Sequence, residues 1–274
     1  VMATFEVDPK ILRYYSDDWD EDNRIRSGLH QLELIRTQEI LRRFLPDGGG
    51  RVLDVGGGAG IHAEWLLEDG HAVHLIDPVP RHVDLAVDRL GTSDRFTAAV
   101  GDGRDLEQPD GAFDAVLLLG PLYHLTDRAD RMRSWTEALR VMAPGGLVFA
   151  VGISRFTELS VGLAEGLIFD DVFATMMERM LTDGQHRNPD DREYFTTAFY
   201  HHPSELEDEA IEAGWHVEAV LGIEGFARAM PQLEEHWEDP VRRQIIIDAA
   251  RSIESEPSLL GLGPHVMVVA RKPG

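Results

Sequence analysis

Residues 51–151 predict an α/β protein with a doubly wound, mostly parallel sheet. Two observations carry this. Short apolar runs recur at 51–55, 72–77, 95–102, 114–120 and 146–152, with helical patterns between them. Such a β-α-β-α-β series demands parallel strands joined by crossovers. The runs are also nearly continuous rather than alternating, as suits a sheet covered on both faces.

Each element has its own signal. Residues 9–45 read as helical, with Ile35, Ile40, Leu41 and Phe44 on an apolar face. Pro46-Asp47-Gly48-Gly49-Gly50 then turns the chain into RVLDV (51–55). Ile61, Trp65 and Leu66 open a short helix that stops near Gly70, ahead of AVHLID (72–77). Val83, Ala86, Val87 and Leu90 stripe the next helix, which Gly91 closes before RFTAAVGD (95–102). DAVLLLG (114–120) follows. Met132, Trp135, Leu139 and Met142 mark a helix that Pro144-Gly145-Gly146 ends before GLVFAVG (146–152).

Residues 153–200 break the alternation. Phe169, Val172, Phe173, Met176, Met177 and Met180 predict a broad helical stripe, and TDGQHRNPDD (182–191) a loop. Pro203 suits the first turn of a helix running to Gly214. WHVEAVLGI (215–223) and HVMVVAR (265–271) read as strands around helical residues 231–253. The expected organisation is a helical arm (1–50), a core (51–152), a helical cap (153–202) and a return to the core sheet (203–274).

Composition narrows the function. With 274 residues and 43% apolar content the chain can bury a large core. It has no cysteine, which excludes a disulfide scaffold, thiolate metal sites and a cysteine nucleophile. Without an H-x-x-x-H spacing either, no metal site is expected. VMATFEVDPK lacks a basic-then-apolar leader, and no run nears the ~20 apolar residues that span a bilayer. A cytoplasmic protein without a membrane partner is expected. The net charge of −23 repels phosphate backbones, so no nucleic-acid partner is expected. Monomer and homodimer both remain open.

VLDVGGGAG (52–60) carries the functional signal. Glycines in a strand-to-helix turn let backbone N–H groups approach a ligand closely. Counted as G-x-G-x-x-G from Gly56, the third glycine position holds Ile61. Counted as D-x-G-x-G-x-G, the run gives Asp54, Gly56, Gly58 and Gly60 without mismatch. This resembles motif I of class I S-adenosylmethionine-dependent methyltransferases. The likeness continues in order. Asp77 ends the second strand, where that family places an acid against the ribose hydroxyls. Gly101-Asp102-Gly103 resembles the segment near the adenine. FDAVLLLGPLYHL (113–125) resembles motif IV, whose end lies beside the transferred methyl, and RVMAPGGLVF (140–149) the helix-turn-strand after it.

The resemblance implies a Rossmann-like, seven-stranded sheet with an antiparallel edge hairpin from the last two strands and a helical cap insertion. It implies S-adenosyl-L-methionine as cofactor, S-adenosyl-L-homocysteine as product, and an oxygen, nitrogen or carbon nucleophile on a small molecule as methyl acceptor. The cofactor residues it implies are Asp54 near the aminoacyl amine, Gly56, Gly58, Gly60, Asp77, Asp102, Gly103, Leu119 and, from an arm folded over the site, Tyr15. Carboxylates at strand ends suit hydroxyls and amines. Asp54 beside the loop would oppose a pyrophosphate.

His124 is the candidate general base, because imidazole titrates near the working pH. Tyr123, Met176, Met180, Tyr200 and His201 are candidates for lining the acceptor site; methionine suits adaptable apolar pockets. Arg36 is a candidate carboxylate binder, whereas Arg24 reads as part of a solvated helix. Two rivals stand beside this reading. One is an NAD(P)-dependent oxidoreductase, disfavoured by Ile61 and the absence of a Tyr-x-x-x-Lys pair. The other is a non-catalytic S-adenosylmethionine-binding protein.

Overall fold

The computed structural model describes residues 5–18, 21–188, 194–227, 230 and 232–274. The first four residues, the end of the TDGQHRNPDD stretch and Pro231 lie outside them.

The arm is broken rather than continuous. It comprises α1 (Pro9–Arg13), a π turn (Tyr14–Asp18), α2 (Glu21–Arg26), a 3-10 turn (Gly28–His30) and α3 (Gln31–Phe44). The alternation follows as β1 (Arg51–Val55), α4 (Ile61–Glu68), β2 (Ala72–Asp77), α5 (Pro80–Leu90), β3 (Phe96–Val100) and β4 (Phe113–Leu118). Next come α6 (Pro121–His124), α7 (Arg128–Val141) and β5 (Met142–Ser154). The cap segment holds α8 (Thr157–Glu165), α9 (Asp171–Asp183), β6 (Gln185–His186) and β7 (Ala198–His201). The chain then forms α10 (Pro203–Glu212), β8 (His216–Gly222), α11 (Leu233–Glu238), α12 (Pro240–Ser252) and β9 (His265–Arg271).

Strands β3, β2, β1, β4 and β5 lie side by side, all parallel. β9 runs antiparallel along β5, and β8 antiparallel along β9. These make the seven expected strands. The described residues contain nine, because the cap segment adds two. The register of β9 on β5 ends at Ile153–His265. Across β5 from that pair, on the side where β4 stops at Ala150, β7 pairs parallel with Ile153 and Ser154, and β6 pairs with β7. Strand pairing satisfies backbone groups that would otherwise be left open there.

Both faces of the sheet are covered. One core layer joins Ile40, Leu41, Trp65 and Leu66 to the sheet; the other joins Trp135, Ala138, Leu206 and Trp215. No helix among the described residues is long and apolar enough to cross a membrane.

Two predicted stripes shift. In α7 the buried face is Arg131, Ser134, Trp135, Ala138 and Val141, turned away from the expected Met132 and Leu139. An arginine holds a core position here because Glu209 meets it at 2.8 Å, a pairing that apolar periodicity does not register. Met142 opens β5 instead of ending the helix. In the cap, Phe169 precedes α9 and is 86% exposed. The Asp170 carboxylate accepts from Val172 N (3.0 Å) and Phe173 N (2.9 Å), which starts the helix after Phe169.

Candidate active site

The carboxyl ends of β1, β2, β3 and β4 open into a cavity of about 320 Å³. That is the scale of a small-molecule site. The β1–α4 turn forms one wall. Gly56, Gly58 and Gly60 have φ of 70°, 55° and 83°. An L side chain pays backbone strain in that region, so glycine is required for the turn. Gly58 N donates to Asp77 Oδ2 at 2.9 Å. Asp77 Oδ1 accepts from Val79 N at 2.8 Å and lies 3.1 Å from His82 Nδ1. Asp77 is thus fixed at the end of β2 with its carboxylate on the cavity wall.

The end of β3 supplies the next wall. Arg104 grips Asp102 through Nε on Oδ1 (2.9 Å) and Nη2 on Oδ2 (2.7 Å). The same guanidinium reaches Asp130 at 2.7 Å and stacks over Phe5 of the arm. A Cβ on Gly103 would stand 2.9 Å from Val55 Cγ1, so only glycine lets the backbone pass there.

Asp54 is 1% exposed, and its Oδ2 has no hydrogen-bond partner. Burial, then the nearby Asp77 carboxylate, push its pKa up to about 7.

Leu119, Tyr123, His124 and Tyr15 also line the cavity. The Tyr15 hydroxyl lies 2.8 Å from His124 Nε2, and His124 Nδ1 lies 3.3 Å from the Thr197 carbonyl. Desolvation in the cavity wall lowers the imidazole pKa to about 4, so the ring is neutral at pH 7. A carbonyl can only accept, so Nδ1 carries the hydrogen and Nε2 accepts from Tyr15. The expectation that this ring titrates near neutrality is therefore corrected, and the cause is its burial among Tyr15, Tyr123 and Phe195.

The cavity brings together eight of the nine cofactor candidates, Tyr123 and His124. Gly60 is not on its wall: it completes the turn against Ala86 and Leu90 of α5. It does not include Met176, Met180, Tyr200 or His201. Met180 packs with Ile153, Ala198 and Tyr200 in a satellite core, and Met176 is buried beside it on α9. The Tyr200 hydroxyl donates to Glu158 at 2.8 Å. His201 is buried, with Nε2 3.6 Å from Glu209. These four side chains pack under the cap because β7 extends the sheet along β5 past the end of β4. Arg36 is likewise withdrawn: it is fully buried on Glu39, Glu254 and the Ile223 carbonyl.

Sequence reasoning missed Glu33, Thr37 and His62, which line the same cavity. Glu33 sits 3.0 Å from Arg24. Despite burial, His265 and Arg24 hold its carboxyl down to about 2. Glu33, Glu224 and His265 bring possible metal-ligand atoms within 4.8 Å of one another. Arg24 and His265 already partner these carboxylates: His265 Nδ1 lies 2.6 Å from Glu224, and Glu224 and Glu33 raise its pKa against burial.

Residues 52–146 match the family model of a methyltransferase domain. The chain is 30% identical over 207 residues to a ubiquinone biosynthesis O-methyltransferase of Xanthomonas axonopodis pv. citri; the match covers 75% of this chain and 78% of that protein. The chain belongs to the class I S-adenosylmethionine-dependent methyltransferases. The protein of the same description from Methylocella silvestris is 30% identical over 171 residues, covering 54% of this chain and 65% of that one. The fold matches an S-adenosylmethionine-dependent methyltransferase from Methanosarcina mazei with a TM-score of 0.58, 17% identity, and coverage of 85% and 97%.

S-adenosylmethionine is the cofactor of this methyltransferase, and the site fits it. Space in front of Gly58 is open, with nothing within 4 Å of where a Cβ would stand. Asp77 keeps acceptor capacity beyond its two backbone N–H bonds and the His82 contact, which suits a ligand carrying hydroxyls.

Proposed function

We propose that this methyltransferase alkylates a hydroxyl oxygen of a small organic acceptor. The cofactor is held by Gly56 and Gly58, in the turn that Gly60 completes, with Asp77 on the ribose and Asp102 and Gly103 at the adenine. Leu119 and Tyr15 flank the reacting end. When bound, S-adenosylmethionine supplies a sulfonium-activated methyl group.

The observation that carries the oxygen reading is the Tyr15–His124 pair. A hydroxyl acceptor must lose its proton, and the pair is a ready path for it. The Tyr15 hydroxyl receives the acceptor's proton as it passes its own to His124 Nε2. The Thr197 carbonyl keeps the ring turned by holding Nδ1–H, and the Asp77 charge favours the protonated ring. Tyr123 packs edge-on to His124, 4.7 Å between ring centroids, and forms the acceptor's near wall. Enclosure by the arm excludes water and orients the acceptor, which supplies much of the acceleration. The relatives named as O-methyltransferases support the same choice.

Methyl-labelled S-adenosylmethionine offered with separate panels of hydroxylated aromatics, amines and carboxylic acids tests this. Label should appear in methyl ethers. Label confined to amines or carboxylates would overturn the oxygen reading.

A further inference from the structure

Motif I assigns the cofactor's amine to Asp54, and the structure leaves that side chain only 1% exposed at the cavity wall. Its Oδ2 lies 2.7 Å from where a Cβ on Gly57 would stand, packed beneath the turn beside Leu75. Glu33 is more open: its side chain is 16% exposed, and it lines the same cavity.

The strand order fixes which end of the cofactor lies near Glu33. Asp102 and Gly103 close the cavity at β3, and Asp77 marks β2. Crossing β1 and β4 leads to Val151 of β5 and Ile223, which follows β8. A nucleoside over β2 and β3 sends its aminoacyl arm toward that opposite end. Three polar side chains stand on the helical side of the cavity. Glu33 and Thr37 are one turn apart on α3, and His62 is the second residue of α4. Trp65 Nε1, which can only donate, lies 3.3 Å from His62 Nδ1. Nδ1 is therefore the bare nitrogen of the neutral ring, and Nε2 carries the hydrogen.

The geometry points to a socket for the zwitterion of the aminoacyl arm, in which Glu33 binds the ammonium and His62 Nε2–H and the Thr37 hydroxyl bind the carboxylate. Arg24 is a positioning residue: its Nη1 and Nη2 donate to the two Glu33 oxygens at 3.0 and 3.4 Å, and each oxygen keeps a further lone pair. Glu33 is the anion this cavity end needs, and His62 and Thr37 are the donors. Arg36, the expected carboxylate binder, is already bound by Glu39 and Glu254. The inference rests on S-adenosylmethionine as cofactor and adds the residues that select its amino-acid half.

Calorimetry with three ligands tests it: S-adenosylhomocysteine, its decarboxylated analogue, which keeps only the ammonium, and 5′-methylthioadenosine, which has neither charge. Glu33→Gln should weaken the first two by roughly tenfold or more, the scale of a lost charge-assisted bond, and leave methylthioadenosine within about twofold. His62→Phe should weaken S-adenosylhomocysteine by roughly tenfold and spare the other two. Equal loss of all three ligands, or no change in any, overturns the socket. If Glu33→Gln does not fold, His62→Phe and Thr37→Val decide by the same pattern across ligands. Wild-type protein that binds none of the three would refute the cofactor reading itself, a result separate from failure of the socket.

Discussion

Replacing Asp54 by asparagine should stabilise the protein in alkali and leave it unchanged in acid. Asn matches the shape of the buried carboxyl and removes its ionisation. An ordinary aspartate titrates at 3.8, and burial beside Asp77 moves this one to about 7. Below 3.8 both the folded and unfolded chains hold the proton, so the group has no effect on stability. Between 3.8 and about 7 the unfolded chain ionises and the folded one does not, so stability falls as pH rises. Above about 7 the loss is constant. At about 1.4 kcal/mol per pH unit the whole window amounts to roughly 4 kcal/mol. That is a large part of the ~5–15 kcal/mol typical of a folded domain. Urea unfolding of wild type and Asp54→Asn at pH 4 and pH 8 reads it directly. The variant should gain several kcal/mol over wild type at pH 8 and roughly nothing at pH 4. A difference between the two proteins that is the same at both pH values would refute the buried-carboxyl argument.

Other consequences are as direct. His124→Ala should lower kcat by roughly a hundredfold or more with little change in S-adenosylhomocysteine affinity, as loss of a general base does; unaltered turnover removes the ring from the chemistry. Because desolvation lowers the His124 pKa to about 4, its proton-accepting form persists down to that pH. The rate profile should then lack an inflection at 6.5, the value of an unshifted histidine. Gly60→Ala forces an L side chain to φ 83° and brings a Cβ to 3.1 Å from Leu90 Cδ1. About 1–2 kcal/mol of strain should lower Tm by several degrees, and an unchanged melt would contradict the turn geometry. Tyr200→Phe removes the bond to Glu158 and should cost about 1 kcal/mol in stability without altering KM; a raised KM would return Tyr200 to the acceptor site.

The strands were legible because runs such as AVHLID and HVMVVAR need only apolar content and flanking breaks to be found. The glycine turn was legible because its spacing records a backbone shape, independent of anything distant. Asp77 and Asp102 were visible as acids at strand ends. Glu33 and Thr37 were harder, because they interrupt a buried helix face and their meaning comes from His265 and Ile223, far along the chain. Their spacing, two polar residues one turn apart beside Leu32 and Leu41, was the available clue. Met176 and Met180 illustrate a different limit. Periodicity showed that they are buried, and it carries no information about which surface covers them.

The place of β9 also has a consequence for synthesis. It follows β5 and β8 along the chain, yet it lies between them and forms the ladder on both sides. While a ribosome is still making the segment after β8, the β5 edge from Leu147 to Ile153 has no β9 to cover it. Such an open edge is a template for pairing with another nascent chain. The helices, the glycine turn and the first five parallel strands are all available before that gap can close. Soluble yield should therefore respond to translation speed and chaperone supply more than a local, early-closing sheet would.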